Sequence, residues 1–477
     1  MQRMSDGEAT RNREADSTAS PAAGHSGEWV FARFRTHLYE LLHLSWPAML
    51  SRLGLLALSV VDTIMVGRYA TAELAWLSLA NRAVVMFLLV VAIGLLMGVI
   101  VSTASAYGRK DYAECGRIWR RTLPYALGIG FVMAAITAAA PVYTPWLAKD
   151  ALIASKSADL VLILGLGLPA HVLFYSSTAF LEGIRRPQIP MLILLAANAL
   201  NVLLNTMLVY GNWGAPEMGA AGSAWTSTIV RWTMLGTVIA YILTMPSMQP
   251  FGVRRPHGQR WRDWAHQRAI GYASAISIAA EVGAFAGLAV IAEKLGQLQL
   301  AGQEIVFNVL TVPFMIAVGI GSATAVRVGI AHGRGDPLDT GLAGWTGLVT
   351  SMTILGLIAL AIHAYPGALF ALHSEDARLA LITVPAIAFV AYITAFDGGQ
   401  AVISMGLRGL GETWWPTAIQ AIAYVAIMLP CSWYLAMVAG RGLVGLLEAA
   451  LIASIFSVAA QSLRFWWLTG RAKAFTA

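Results

Sequence analysis

PAMLSRLGLLALSVVDTIMVGR, residues 47–68, is long and apolar enough to cross a bilayer as one helix. Yet it carries Pro47 near one end and Asp62 near the other. A carboxylate inside a spanning helix costs roughly 2.5–3.5 kcal/mol on insertion scales. Asp62 therefore implies a polar site that other helices complete. The competing reading is a carboxylate at the outer end of the helix that reaches interfacial water, since Arg68 follows six residues on.

Apolar runs of this kind recur along nearly the whole chain. Of 477 residues, 58% are hydrophobic and 12% charged, about half the charge of a soluble domain. The composition describes an all-α membrane protein, because β-barrel spans would alternate every second residue over short segments. The net charge of +7 is read as Lys- and Arg-rich loops rather than as a nucleic-acid surface. Cys115 and Cys431 give no disulfide framework and are expected as free thiols. No GxxxxGK[ST] loop supports direct ATP drive. No HExxH or paired Cys/His spacing supports a metalloenzyme, and no clustered aspartates suit a membrane prenyltransferase.

Twelve spans are predicted, roughly 42–66, 75–104, 122–147, 158–181, 190–211, 220–245, 268–292, 300–329, 342–366, 379–405, 416–438 and 442–467. Basic residues alternate between loops in step with this count. Arg109, Lys110, Arg117, Arg120 and Arg121 follow span two, Arg185 and Arg186 follow span four, and Arg254, Arg255, Arg260, Arg262 and Arg268 follow span six. The positive-inside rule then places both termini in the cytoplasm. Residues 1–36 read as a disordered cytoplasmic tail, 37–247 as an amino-terminal six-helix lobe, 248–267 as a cytoplasmic linker and 268–477 as a carboxy-terminal six-helix lobe.

The two halves repeat. AIGLLMGVIVSTASAYGRKD (92–111) lies over AVGIGSATAVRVGIAHGRGD (317–336) without a gap, and LEGIRRPQIP (181–190) over LRGLGETWWP (407–416). Six spans per repeat is an even number, so the halves face the same way about a pseudo-twofold axis along the membrane normal. Two bundles around such an axis leave a cleft between them, the common architecture of a secondary transporter.

Pro47 with VDTIMVGR, the AYGRKD and AHGRGD loops, GAPEMGAAGSA (214–224) and GLRGLGET (406–413) together resemble the multidrug and toxic compound extrusion (MATE) family. They most resemble its NorM-type bacterial branch, and the likeness covers nearly everything after residue 40. It implies a first-helix aspartate joined to polar residues of helices five and six. Asp62, Asn201, Asn205 and Ser227 fall on those positions, with Ser227 where threonine is frequent. Asn201 and Asn205 are four apart and share a helix face. Asn198, Thr226 and Thr228 stand nearby.

In the second half, Glu281 lies mid-span in seven and Asp397 in span ten, before two glycines. The resemblance implies that both bear on cation coupling. The alternative is that each pairs with an arginine, such as Arg231 or Arg327. NorM-type members can supply a tyrosine one turn before the aspartate. Here Ile393 holds that place and Tyr392 lies on another face.

Four further residues have open readings. Arg82 could reach Asp62 and hold it ionised. Arg52 has no assigned partner. His171, which the repeat sets over Asp397, is a packing histidine or a cavity residue. Pro47 is a kink that serves alternating access or an ordinary kink of a membrane helix.

The resulting expectation is a Na⁺- or H⁺-coupled antiporter in the bacterial inner membrane. It would be a monomer surrounded by lipid, exporting bulky organic cations and drugs, with no nucleic acid partner and no cofactor besides the coupling ion. Drug and ion competing for the same carboxylates is a sufficient mechanism for antiport, each ligand favouring a different opening of the cleft. The rivals are a lipid-linked oligosaccharide flippase, which would want a cationic cleft, and a membrane-embedded enzyme.

Overall fold

The computed structural model describes residues 27–81, 85–148, 150–255 and 260–474. These are almost wholly helical, and no strand occurs among them. Hydrocarbon offers no partner to a backbone N–H or C=O, so each apolar run closes its own hydrogen bonds as a helix. Eleven helices are long and apolar enough to span a membrane, and one bent pair completes the twelve.

Span one runs unbroken from Gly27 to Tyr69, through Pro47. Residues 27–36, expected in the tail, are its first turns, and the rest of that tail lies outside the described residues. Within this extension Arg33 has a partner across the molecule, given below. A separate helix, Thr71–Ala80, precedes span two, Met86–Gly108. Span three, Tyr112–Ala138, ends earlier than expected and is followed by the short helix Ala140–Leu147. Pro141 and Pro145 sit in that helix, and neither can donate the backbone bond that continuing span three would require. Cys115, expected in a loop, is buried in the first turn of span three, and both cysteines are free.

Span four is two helices, Ala151–Leu166 and Leu168–Gly183, bent by 43° at Gly167 just before Pro169. Spans five to ten are Gln188–Leu208, Gly219–Thr244, Ala265–Leu295, Gln297–Gly333, Pro337–Ala364 and Ala377–Gly409. Span eleven, Trp414–Val438, contains two π-helical stretches, Ile422–Met428 and Tyr434–Val438. Span twelve is Gly442–Ala474.

The pseudo-twofold axis is visible in atomic contacts between the halves. A Cβ on Gly108 would stand 2.2 Å from the Ile330 carbonyl oxygen, and a Cβ on Gly333 would stand 2.2 Å from the Ser105 carbonyl oxygen. The repeat aligns 108 with 333 and 105 with 330, so this is one contact seen twice. Spans two and eight cross there at a separation that only glycine permits. Aligned turns agree as well: Lys110 (φ 62°) matches Gly335 (φ 75°), and Arg185 (φ 64°) matches Gly411 (φ 85°).

All these close approaches lie towards the face that carries both ends of the described chain. Gly98 meets Gln267 on the same side, and Gly94 meets Ala275 and Gly319 meets Met49 nearer the middle of their spans. The core of the first half continues into the second through Ile270, Ala323, Val326 and Ile330. The far half of the second lobe has its own core, including Leu288, Val306 and Val390. The lobes are therefore packed against each other towards the terminal face.

Candidate functional site

Asp62 is 3% exposed and is held by three donors. Asn201 Nδ2 and Asn205 Nδ2 donate to Oδ1 at 3.0 and 2.7 Å, and Ser227 Oγ donates to Oδ2 at 2.6 Å. Spans one, five and six thus meet as the sequence pattern expected. The one-turn spacing of the asparagines aims both amides at the same oxygen. The interfacial-water alternative does not hold, because the carboxylate is enclosed. Arg231, one turn beyond Ser227, donates to the Leu164 carbonyl at 3.1 Å and acts electrostatically on Asp62. Asn205, which contacts Asp62, has its Oδ1 buried without a hydrogen-bond partner, and so has Thr226, the residue before Ser227, its Oγ1.

The neighbours are more ordinary. Asn198 Nδ2 ties span five to span one through the Gly54 carbonyl at 3.0 Å. Thr228 Oγ1 donates to the Ile163 carbonyl at 2.9 Å. His171 is 9% exposed, its Nδ1 has no partner, and it does not touch Asp62 by any hydrogen bond. Arg82 lies outside the described residues. Pro47 is buried, its carbonyl accepts from Ser51 Oγ at 2.9 Å, and the helix passes through it.

In the second lobe Glu281 and Asp397 are brought together by a residue that sequence reasoning missed. Tyr424 Oη lies 3.3 Å from Glu281 Oε1 and 3.1 Å from Asp397 Oδ1. The tyrosine absent from position 393 is supplied instead by span eleven, from its first π-helical stretch. Ser454 Oγ donates to Asp397 Oδ1 at 3.2 Å. Asp397 is 2% exposed, whereas Glu281 keeps partial exposure. Two carboxylates, a phenol and a serine are hard oxygen donors suited to Na⁺ or to an exchanged proton.

Neither candidate arginine pairs with them. Arg231 belongs to the first lobe, and Arg327 is bound to Glu40 and His37. Among the described residues, none of Asp62, Glu281 and Asp397 makes an ion pair.

Arg52, left unassigned by the sequence, is 7% exposed. Its Nη2 donates to both oxygens of Glu182 at 3.1 and 3.2 Å and to Ser322 Oγ, in the other lobe, at 3.3 Å. Its guanidinium lies 5.5 Å from the centre of the Tyr175 ring. Nearer the terminal face, Arg33 Nε and His37 Nε2 of span one reach Asp339 Oδ1 at 2.5 and 2.7 Å. Arg334 also pairs with Asp339, and Arg185 pairs with Glu40 at 3.3 Å. This ion cluster joins the lobes near the terminal face and ties Arg33, in the extension of span one, to the second lobe. Of the GRKD and GRGD loops, Asp111 and Asp336 cap the following helices by accepting from the backbone of Glu114 and Asp339, each at 2.9 Å.

The MatE family model matches residues 47–207 and 273–434. A probable multidrug resistance protein NorM of Caulobacter vibrioides is 34% identical over 444 residues, covering 91% of this chain and 93% of the relative. One from Bradyrhizobium diazoefficiens is 31% identical over 445 residues, covering 91% and 94%. The fold is similar to the eukaryotic MATE transporter AtDTX14, with a TM-score of 0.84 at 16% identity over 93% of this chain and 100% of that one. It is equally similar to the outward-facing conformation of a multidrug resistance MATE family transporter, with a TM-score of 0.84 at 17% identity over 92% and 97%. With both repeats matched in order and both lobes built as described, the chain belongs to the MatE family of membrane transporters, and is not an enzyme.

Proposed function

We propose that this protein is a multidrug exporter of the bacterial inner membrane, driven by inward movement of Na⁺ or H⁺ and working by alternating access, with both termini cytoplasmic. One observation carries the reading: the membrane-embedded carboxylates beside the cleft are enclosed by neutral hydrogen-bond donors and are not neutralised by ion pairs. Such groups attract lipophilic cations and small coupling cations alike. Each ligand can then favour a different opening of the lobes. Arginine-rich loops on the terminal face support the orientation, and the cleft then opens outward. A flippase gripping pyrophosphate would need free positive charge between the lobes, and Arg52, which bridges them, is spent on Glu182.

The test is efflux of an ethidium-like dye from proteoliposomes under separately imposed Na⁺ and H⁺ gradients. Asp62→Asn, Glu281→Gln and Asp397→Asn should each reduce gradient-driven efflux. Normal transport by all three variants, or no efflux under either gradient, would overturn the proposal.

A further inference from the structure

Arg408 is 3% exposed and makes no ion pair among the described residues. A lone buried guanidinium is costly unless something compensates its charge. The repeat aligns it with Glu182, which in the first lobe is matched by Arg52. The second lobe has reversed the charge at this position and provided no adjacent partner.

What Arg408 has instead is a chain of hydrogen bonds. Its Nη2 donates to Gln420 Oε1 at 3.4 Å, and Gln420 Nε2 donates to Gln400 Oε1 at 3.1 Å. Gln400 Nε2 then donates to Tyr424 Oη at 2.9 Å, and Tyr424 Oη donates to Asp397 at 3.1 Å or Glu281 at 3.3 Å. Every donor points the same way. A guanidinium can only donate and a carboxylate can only accept, so the two ends force both amides into this orientation. Aligned hydrogen bonds polarise one another, and the chain carries positive potential from Arg408 towards the carboxylates. Glu281 and Arg408 also act on each other directly.

Resting on the reading that the second-lobe site couples transport, we infer that Arg408 is the built-in counter-cation of the Glu281–Asp397 pair. It leaves the ionised pair one positive charge short of neutrality and so limits the site to one monovalent cation per cycle. The first lobe differs in its count of charges: two carboxylates, Asp62 and Glu182, have two arginines near them, Arg231 and Arg52, of which only Arg52 with Glu182 forms an ion pair. The charge deficit of the membrane interior, among the described residues, is therefore in the second lobe. Arg408 is a positioning residue that also sets how readily the cation leaves.

The experiment measures two quantities in proteoliposomes containing the full chain. One is the coupling-cation concentration for half-maximal dye efflux; the other is the cation gradient that just balances a dye gradient. Arg408→Gln should lower the half-saturating concentration roughly tenfold, as removal of a unit charge about 10 Å away in a protein interior would do. It should also raise the number of cations per dye above the one expected of the wild type, and Arg408→Lys should restore both. A merely structural residue would instead weaken cation dependence when removed. Weaker or unchanged cation affinity in an Arg408→Gln protein that still transports overturns the inference. Should that variant fail to fold, Gln400→Met breaks the chain with the charge in place. Tighter cation binding then supports the relay, and unchanged or weaker binding refutes it. Failure of the underlying reading shows separately, as ion-coupled efflux that survives in both Glu281→Gln and Asp397→Asn.

Discussion

Gly333→Ala tests whether the closed terminal face is one of two packed states. In the structure a Cβ at 333 would stand 2.2 Å from the Ser105 carbonyl oxygen. An ordinary contact is about 3.5 Å, so spans two and eight must separate by about 1 Å to admit it. Overpacking of this kind costs about 1–3 kcal/mol. The cost falls only on the state in which these helices touch, so it shifts the balance between cleft openings by roughly 5- to 150-fold. Gly108→Ala makes the aligned contact with Ile330, also at 2.2 Å, and should shift it by a similar amount. The double variant should cost much less than the sum, because one separation relieves both clashes. Gly128→Ala, with nothing within 4 Å of the added Cβ, is the control. The assay is the distance distribution between spin labels at Ile64 and Val290, both exposed and both in the half of their spans away from the termini. Gly333→Ala should populate a shorter distance as the outer ends approach. A distribution indistinguishable from Gly128→Ala would refute the reasoning, and so would full additivity of the two alanines.

Tyr424→Phe removes the hydroxyl shared by Glu281, Asp397 and Gln400. A hydrogen bond to a charged group contributes about 1.5–3 kcal/mol, so the half-saturating coupling-ion concentration should move about ten- to a hundredfold. Movement is upward if Na⁺ uses the hydroxyl oxygen as a ligand and downward if a proton replaces the lost donor; an unchanged ion titration would exclude Tyr424 from the site. Asp339→Asn removes the charge on which Arg33, His37 and Arg334 converge. Breaking a buried pair on one side costs about 3–5 kcal/mol. The variant should melt earlier and, combined with His332→Cys, should gain thiol labelling from the terminal face; wild-type melting with no added labelling would count against a latch. Lys110→Gly relieves a non-glycine residue at φ 62° and should stabilise the protein by up to about 1 kcal/mol, read as a small rise in melting temperature.

The apolar runs, the alternating loop charges and the repeats at 92–111 and 317–336 make the span count, the two lobes and their axis legible in the residues themselves. These are local or pairwise properties: hydrocarbon forces helices, and two copies of one hydrophobic pattern fold alike. The first-lobe site is equally legible, because Asn201 and Asn205 lie one turn apart on an undistorted helix opposite Asp62. The second-lobe site is legible only in its two carboxylates. Tyr424 sits in a π-helical stretch, where each turn takes an extra residue and the 3.6-residue period no longer tells which face a side chain occupies. Gln400, one turn after Asp397, and Gln420, one turn before Tyr424, stand out as polar residues in apolar spans, but their common direction does not.

Charge pairing is decided by tertiary structure alone. Arg52 with Glu182 spans 130 positions and Arg33 with Asp339 spans 306, and no local pattern encodes such partners. The same holds for Asp62. Its chemistry, its helix and its asparagines follow from the sequence, because they depend on residue type and helical period. That Arg231 stands near it without pairing, and that Glu281 and Asp397 share the single Arg408, follow only from where twelve helices place their side chains. In a medium that cannot solvate an isolated ion, that placement determines which carboxylate still needs a cation.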